Sequence, residues 1–445
     1  MKYTTAPLNE VCKEIIDCVN KTAPFVDYET PFKMLRTTNV KKGFVDIETV
    51  RYVTEETYRK WTRRKKPKKN DIIFTREAPL GEVGLLRSDD NVFLGQRLIQ
   101  YRANPKVMDQ LFLYYAFQDG FMQSQILSYG SGSTVEHLRI GDCETIKVRY
   151  PELPIQQKIA SILSNYDDLI ENNNRRIQLL EEMASEIYKE WFVRLRFLGY
   201  ENFNFETSKK LKLRKCLNHY IGGGWGEEYP KGKNTVPAHV IRGTDFPEFN
   251  KGTLNFDVLR YHTSSNLSSR VCEPNDIIFE VSGGTESQSL GRTCFISKSA
   301  LDRFDAPVIC ASFCKLLRVD ESLVSPIYIN ELLNRMHKTG ELKVFQVQST
   351  GISNYQFEDF IEATKIFIPP VDVQNNFDSI VAPMYDEIQT LGAKNQVLQE
   401  TRDLLLPRLI SGKLSVEHLL NESYEQKETI RTAAEPAAVY ETNKE

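Results

Sequence analysis

No stretch of the 445 residues approaches the run of about 18 apolar side chains that crosses a bilayer, so no membrane span is expected. The opening MKYTTAPLNEVCKE has a charged start but lacks the apolar segment of a secretory signal, and a cytoplasmic location is expected. Histidine is scarce: His137, His219, His239, His262, His337 and His418 show neither metal-ligand spacing nor a nucleophile partner. The eight cysteines are scattered and form no C-x2-C pair, so no zinc site is expected and reduced thiols are. No G-x4-G-K-[ST] loop is present, which excludes the usual phosphate loop of an ATPase. The only Pro-Pro, Pro369-Pro370, lies between Ile368 and Val371 and lacks the polar and aromatic neighbours of an amino-methyltransferase loop. The glycine run Gly222-Gly223-Gly224-Trp225-Gly226 has no strand-then-helix context and reads as a turn. Glu341 and Lys343, with Asp320 upstream, are too degenerate a pattern for a nuclease and read as a solvated face. No catalytic residue and no metal or cofactor site is therefore expected in this chain.

What is present is ordinary in bulk and uneven in detail. Apolar residues make up 41% and charged residues 26%, as in globular proteins, and the length suits two or three domains. The net charge of −3 conceals a basic segment: residues 31–106 carry 18 Lys/Arg against 9 Asp/Glu. Its densest part is Lys60 to Lys69, with Arg63, Arg64, Lys65, Lys66, Lys68 and Lys69. Such a patch is either a phosphate footprint or a solvated loop. By contrast, residues 167–190 hold seven acidic and three basic residues.

The chain also repeats itself at a spacing of about 210 residues. Asn70-Asp71-Ile72-Ile73-Phe74 recurs as Asn275-Asp276-Ile277-Ile278-Phe279. Arg36-Thr37-Thr38-Asn39 lies opposite Arg242-Gly243-Thr244-Asp245, and Lys42-Gly43 and Arg51-Tyr52 match Lys251-Gly252 and Arg260-Tyr261. Each copy reads as mixed α/β, with short β-branched strands such as 71–75 and 276–281 and a helix near 110–117 or 327–336.

Each copy then passes through a proline-bearing strand exit into a long helical pattern. Ile159, Ile162, Tyr166, Ile170, Ile177, Leu180, Ala184, Ile187 and Trp191 form one seam. Phe377, Ile380, Met384, Ile388, Asn395, Leu398, Arg402, Leu405 and Leu409 form the other, at a constant offset of 218. The steps of three and four residues are those of a coiled-coil seam. Asn173 and Asn395 fall on the seams, where a buried Asn fixes register. Pro383 is expected to kink the second helix and Pro407 to disturb its end.

The stretch Leu153-Pro154-Ile155-Gln156-Gln157-Lys158-Ile159, followed by Asp167-Asp168-Leu169-Ile170-Glu171-Asn172-Asn173 and Trp191-Phe192, resembles the central helix of type I restriction-modification specificity (S) subunits. Val373-Gln374 and the ending Leu406-Pro407-Arg408-Leu409-Ile410-Ser411-Gly412-Lys413-Leu414 resemble that family's C-terminal region. The resemblance extends to about residue 415. Pro383 and Arg402 depart from the usual seam.

The resemblance implies an α+β protein: two mixed α/β target recognition domains in tandem, separated by two long antiparallel coiled-coil-like helices with internal pseudo-two-fold symmetry. The expected divisions are a first recognition domain at 1–152, a spacer helix at 153–198, a second recognition domain at 199–368, a second spacer helix at 369–415 and a disordered tail at 416–445. It further implies a bipartite, asymmetric double-stranded DNA target, with the helices docking two methyltransferase (M) subunits and the restriction (R) subunits. S-adenosylmethionine, ATP and Mg²⁺ would belong to those partners.

Specific binding needs phosphate contacts for position and base-edge contacts for sequence. The candidates for phosphates are Arg63, Arg64, Lys65, Lys66, Lys68 and Lys69. Arg36, Thr37, Thr38, Asn39 and Arg76 are candidates for bases, with Arg242, Thr244 and Asp245 at the matching place. Because that motif recurs in domains meant to read different sequences, a structural turn is the competing reading. Ser131, Ser133 and Thr134, and Ser349 and Thr350, lie in hydroxyl-rich loops that suit phosphate or an ordinary turn. Ser282, Gly283, Gly284, Thr285 and Gln288 form a polar loop that diverges from its counterpart after Arg76, as separate half-site readers require. Two other classes remain open at this point: a chain with its own methyltransferase or nuclease activity, and a coiled-coil adaptor without a nucleic-acid role.

Overall fold

The computed structural model describes residues 2–129, 136–197, 199–202, 209–283, 289–349 and 352–419. The chain divides into two compact units, one of residues 1–168 with 399–445 and the other of residues 169–398. The division falls within both long helices, so each unit holds a segment of each.

In the first unit a six-stranded sheet contains, from one edge, Cys12–Asp17, Leu98–Ala103, Ile72–Arg76, Leu80–Leu85, Gly43–Val45 and Val40–Lys41. A three-stranded sheet sets Phe32–Leu35 between Arg51–Tyr52 (antiparallel) and Asn91–Leu94 (parallel). A short ribbon pairs Thr4–Pro7 with Lys147–Tyr150. The second unit repeats this plan. A four-stranded sheet runs Leu217–Gly222, Cys314–Val319, Ile277–Glu280 and Thr293–Phe295. Val236–Ile241 lies between antiparallel Leu259–His262 and parallel Val308–Cys310, and Lys210–Lys212 pairs with Lys365–Phe367.

The repeated Asn-Asp-Ile-Ile-Phe motif is explained by this plan. Asn70 and Asn275 take left-handed backbone angles, φ 69° and 73°, which Asn tolerates better than most side chains. The following aspartates are buried at the strand entrance. Asp71 accepts from Arg102 Nε and Nη2, both at 2.7 Å, and from the Lys68 backbone N–H at 2.7 Å. Asp276 accepts from Arg318 Nε and Nη2 at 2.9 and 2.8 Å and from the Glu273 N–H at 2.7 Å. The Ile-Ile-Phe side chains are fully buried in both copies. A bidentate fork compensates each desolvated carboxylate, so the motif is a folding element.

The long helices span Leu153–Tyr188 and Val371–Ile410. The first is followed by a π-helical turn, Lys189–Val193, whose Phe192 packs on Tyr188, Tyr328 and Phe377. In the second unit Asn173 Nδ2 donates to Asn395 Oδ1 at 2.9 Å, and Asn395 Nδ2 donates to Asn174 Oδ1 at 2.9 Å. Arg176 pairs with Glu387 at 2.7 Å, and Ile177 and Leu180 pack with Ile388 and Leu391. Rising numbers on one helix meet falling numbers on the other, so the two run antiparallel with the seam asparagines bonded to each other. Ile380 is exposed and Val381 fully buried, so the seam shifts by one residue there.

The second helix runs unbroken through Pro383 and Pro407. Pro407 stands in the last turn, and the helix ends at Ile410 before Gly412, whose φ is +76°.

One glutamine seats each helix on its own domain. Gln156 Nε2 donates to Pro151 O and Val107 O, at 2.9 and 3.0 Å, while its Oε1 accepts the Asp109 N–H at 2.9 Å. Gln374 repeats this on Pro369 O, Leu323 O and the Ser325 N–H, at 2.7, 3.4 and 2.6 Å. Both are buried, and each satisfies backbone groups at the start of a domain helix. No helix among the described residues is long and apolar enough to cross a membrane.

Candidate nucleic-acid interface

In the first unit the basic loop follows the helix Glu55–Trp61 and precedes the buried Asp71 strand. Its six cations are exposed, but not equally free. Arg64 pairs with Asp17 at 3.1 Å and Lys65 with Glu14 at 2.7 Å. Lys66 lies over the Tyr58 ring at 5.1 Å. Arg63, Lys68 and Lys69 have no ion-pair partner among the described residues, and they leave unbalanced positive charge on this surface.

The base-reading candidates Arg36–Asn39 form a tight turn instead of an open display. Asn39 is buried; its Oδ1 accepts the Arg36 N–H at 2.9 Å and its Nδ2 donates to Thr49 O at 3.1 Å. Arg36 Nη2 also donates to Thr49 O, at 2.8 Å. Thr37 is half-buried and Thr38 exposed on the same turn. In the second unit Asp245 Oδ2 accepts the Arg242 N–H at 2.9 Å, and the Arg242 guanidinium grips the same carboxylate at 2.9 and 2.7 Å. Burial opposes the charge on Asp245, yet the Arg242 hydrogen bonds hold its carboxyl below the usual range. Arg76 donates from Nη1 to Leu138 O at 3.1 Å and braces a loop. Ser131, Ser133, Thr134, Gly284, Thr285, Gln288 and Thr350 lie outside the described residues. Ser349 ends a strand, Gln346–Ser349, paired with Ile352–Tyr355.

The second unit gathers four candidates in one place. Arg242, Thr244, Ser282 and Gly283 line an open cleft of about 650 Å³, together with Trp225, Glu280, Arg292, Ser312 and Phe313. Its floor holds a buried ion pair: Arg292 donates to Glu280 through Nε at 2.9 Å and Nη2 at 2.6 Å, and Nη2 also reaches Gly243 O at 2.9 Å. Phe313, 58% exposed, and Trp225 form apolar walls. Glu280 occupies the strand position held by Thr75 in the first unit, whose hydroxyl accepts the Glu82 N–H at 3.0 Å. The two domains thus share a frame and differ in chemistry where the frame opens.

The glycine run, expected as a turn, instead ends the strand Leu217–Gly222 and continues without regular structure, and it presents a side chain. Gly223 and Gly224 donate N–H groups to Cys314 O and Cys310 O, both at 2.9 Å. A Cβ on Gly223 would lie 2.2 Å from Cys310 O, so only glycine permits this approach. The chain then leaves the sheet with Trp225 outward. Trp225, Glu280, Arg292 and Phe313 escaped sequence reasoning; the tryptophan within the glycine run was the available signal.

Among the described residues no cluster of His, Cys, Asp or Glu is arranged to hold a metal. Seven of the eight cysteines are buried free thiols, and burial pushes Cys12, mostly buried at the sheet edge, up to about 12.

The described chain thus runs domain, long helix, domain, long helix, with the two domains built on a similar plan. Residues 25–182 match the family described as the type I restriction modification DNA specificity domain. The chain is 28% identical over 378 residues, 83% of each chain, to the type I restriction enzyme MjaIX specificity subunit of Methanocaldococcus jannaschii. It is 22% identical over 187 residues, 39% of each chain, to the EcoBI specificity subunit of Escherichia coli. The crystal structure of a type I S subunit from M. genitalium aligns with a TM-score of 0.54 at 16% identity, covering 92% of this chain and 96% of that one, which shows the shared fold. The resemblance carried by the helix motifs therefore holds: this chain resembles type I restriction-modification specificity subunits in sequence and in fold.

Proposed function

We propose that this chain is the DNA-sequence-recognition subunit of a type I restriction-modification complex, binding a bipartite asymmetric target without catalysis of its own. In this reading residues 1–152 and 199–368 each read one half of the target, and residues 153–198 and 369–415 are the spacer and docking helices. The observation that carries it is the duplicated domain: one frame, built twice around Asp71–Arg102 and Asp276–Arg318, with different chemistry at equivalent positions such as Thr75 and Glu280. Duplicated readers suit two separated half-sites.

The helices support docking of methyltransferase and restriction subunits by the apolar side chains they leave exposed. Leu179 and Met183 lie one turn apart on the first helix, and both are exposed. S-adenosylmethionine would then reside in the methyltransferase subunits, and ATP and Mg²⁺ in the restriction subunits. The place of action is the cytoplasm, where host DNA lies. The basic loop supplies phosphate contacts in the first domain, and the cleft residues Arg242, Thr244, Ser282 and Gly283 the contacts of the second.

The test is a methylation map of host DNA with and without this chain, its cognate methyltransferase subunit being supplied. Methylation at one bipartite motif is expected, and exchanging residues 1–152 should change only one half of it. Absence of chain-dependent methylation, with the partner folded and bound, would overturn the reading in favour of an adaptor.

A further inference from the structure

Several arginines on or beside the described strands are neutralised within their own domain. Arg102 grips Asp71, Arg242 grips Asp245, Arg292 grips Glu280 and Arg318 grips Asp276. Among the described residues Arg51, Arg76, Arg149 and Arg260 stand on strands without an ion pair, Arg76 bonding Leu138 O and Arg149 lying over Phe121, and of these Arg51 and Arg260 hold the same place in each domain. Arg51 and Arg260 lie on the antiparallel edge strand of the three-stranded sheet. Neither has an ion-pair partner among the described residues. Instead each guanidinium stacks on an aromatic ring: Arg51 at 4.2 Å from the Phe25 centroid and Arg260 at 5.0 Å from that of Trp225.

The strand and the ring-bearing segment are locked together in the same way in both. Val26, next to Phe25, donates its N–H to Tyr52 O at 2.9 Å; Glu227, two residues after Trp225, donates to Tyr261 O at 3.0 Å. Tyr52 and Tyr261 directly follow the two arginines. Phe25 remains 46% exposed and Trp225 43%. Keeping a large ring half in water and a stacked cation without a counter-charge adds little to folding, since an exposed cation–π contact is worth only about 0.5–1 kcal/mol. The arrangement does prepare the guanidinium for binding: stacking fixes its plane before a ligand arrives. Arg260 turns Nη1 to Leu259 O at 3.4 Å and has its Nε buried, so its terminal Nη2 edge is the one that faces a ligand. In the second domain Trp225 is also a wall of the cleft that gathers Arg242, Thr244 and Ser282.

We propose that the stacked pairs Arg51–Phe25 and Arg260–Trp225 are the elements with which each domain grips its half of the duplex, the guanidinium donating to a two-acceptor edge of one nucleotide. The inference rests on the recognition function proposed above and names how that site engages DNA. Its occupant is duplex DNA, because these two unpaired charges are positive and stand at the same place in each domain. The two-acceptor edge is either guanine O6 with N7 or a pair of phosphate oxygens, both of which fit a planar fork.

The experiment uses the full chain bound to its cognate methyltransferase subunits, with the wild-type methylated motif as the reference. Arg260→Gln should weaken binding to a duplex bearing that motif about tenfold, and Arg51→Gln should do the same. If the contact is to guanine, each variant relaxes one position, Arg51→Gln in one half of the motif and Arg260→Gln in the other. If it is to phosphate, binding to all duplexes falls together and the salt dependence drops by about one unit in slope. Either result upholds the assignment. Arg260→Lys keeps the charge but loses the planar fork and should recover little. Full recovery by Lys would overturn the stacked geometry. Wild-type binding and methylation in both Gln variants, at unchanged melting temperature, would overturn the inference while leaving the proposed function intact. A wild-type complex that methylates without sequence preference would overturn both.

Discussion

Arg402 Nη1 lies 2.6 Å from Asp167 Oδ1, joining the two long helices within the first unit by an ion pair that is almost fully buried. Arg402 is the residue that breaks the apolar seam in the sequence, and Asp167 is what makes it tolerable. Asp167 also accepts from Tyr115 at 2.6 Å and faces Arg87 at 3.6 Å, while Arg402 turns Nε and Nη2 to Asp403. Burial works against the guanidinium charge, but Asp167 and Asp403 hold its pKa above the ordinary value. Removing one partner leaves the other in a nearly dry site with weaker compensation, Asp167 keeping Tyr115 and Arg87, and Arg402 keeping the exposed Asp403. Arg402→Met or Asp167→Asn alone should cost about 3–5 kcal/mol, read from denaturant midpoints. The double variant should recover most of that loss, and a double variant no better than the worse single would show that the pair is not the coupled unit.

The equivalent place in the second unit carries the same pair of groups on exchanged elements. Tyr115 and Glu331 correspond on the domain helices, and Asp167 and Tyr385 on the long helices. There Tyr385 donates its hydroxyl to Glu331 Oε1 at 2.5 Å and accepts from Asn330 Nδ2 at 2.8 Å. Among the described residues no arginine pairs with Glu331; the nearby Glu181 is acidic as well, with Lys338 opposing it. Burial pushes the Glu331 carboxyl up, the Tyr385 hydrogen bond opposing it. A carboxyl raised in the folded state favours folding below its unfolded pKa and loses that contribution as pH rises through the folded value. Glu331→Gln keeps an acceptor for Tyr385 and removes the ionisation. It should raise the melting temperature by a few degrees at neutral pH and above, with the difference vanishing near pH 4. An equal effect at all pH values would assign the change to packing instead of charge.

The repeat, the long helices and the paired seam asparagines were legible because each has a period or an offset that one chain displays by itself. The reason for the repeated aspartates was not, since Asp71 meets Arg102 and Asp276 meets Arg318 across strands that sequence spacing does not connect. The same limit applied to Arg402, whose partner lies 235 residues away. The binding candidates were drawn from local composition, which finds a basic loop but cannot tell Arg64, paired with Asp17, from Lys69, which has no ion-pair partner among the described residues. Arg36 and Asn39 looked like readers by residue type, and the competing reading as a turn is the one that describes their bonds. Trp225 lay within a glycine run, and its meaning depends on Arg260 arriving from a neighbouring strand.

The docking of the second domain on its helix depends on a close backbone approach. Gly392 sits against Lys251 and Gly252, where a Cβ would fall 2.1 Å from Lys251 O. Gln389 and Gln396 flank it and donate to Phe249 O and Leu254 O, each at 3.1 Å. Alanine would improve helix propensity by about 1 kcal/mol in an exposed helix. Here it must displace backbone, so Gly392→Ala should destabilise the protein by about 1–3 kcal/mol. A stabilised variant in thermal unfolding would show that the contact yields freely.

The basic loop offers a test of which cations contact phosphate. Arg64 and Lys65 hold carboxylates at 3.1 and 2.7 Å, so DNA would have to compete with Asp17 and Glu14 for them. Lys68 and Lys69 face no such competition. Each counterion released contributes about 0.9 to the slope of log affinity against log salt concentration. Lys68→Gln and Lys69→Gln should each lower that slope by about one unit for cognate and unrelated duplexes alike, while Arg64→Gln changes it less. The ranking matters more than the absolute affinity, because all three substitutions remove one formal charge. If Arg64→Gln lowers the slope as much as Lys69→Gln, the effect belongs to net charge, and the loop acts as a field instead of a set of contacts.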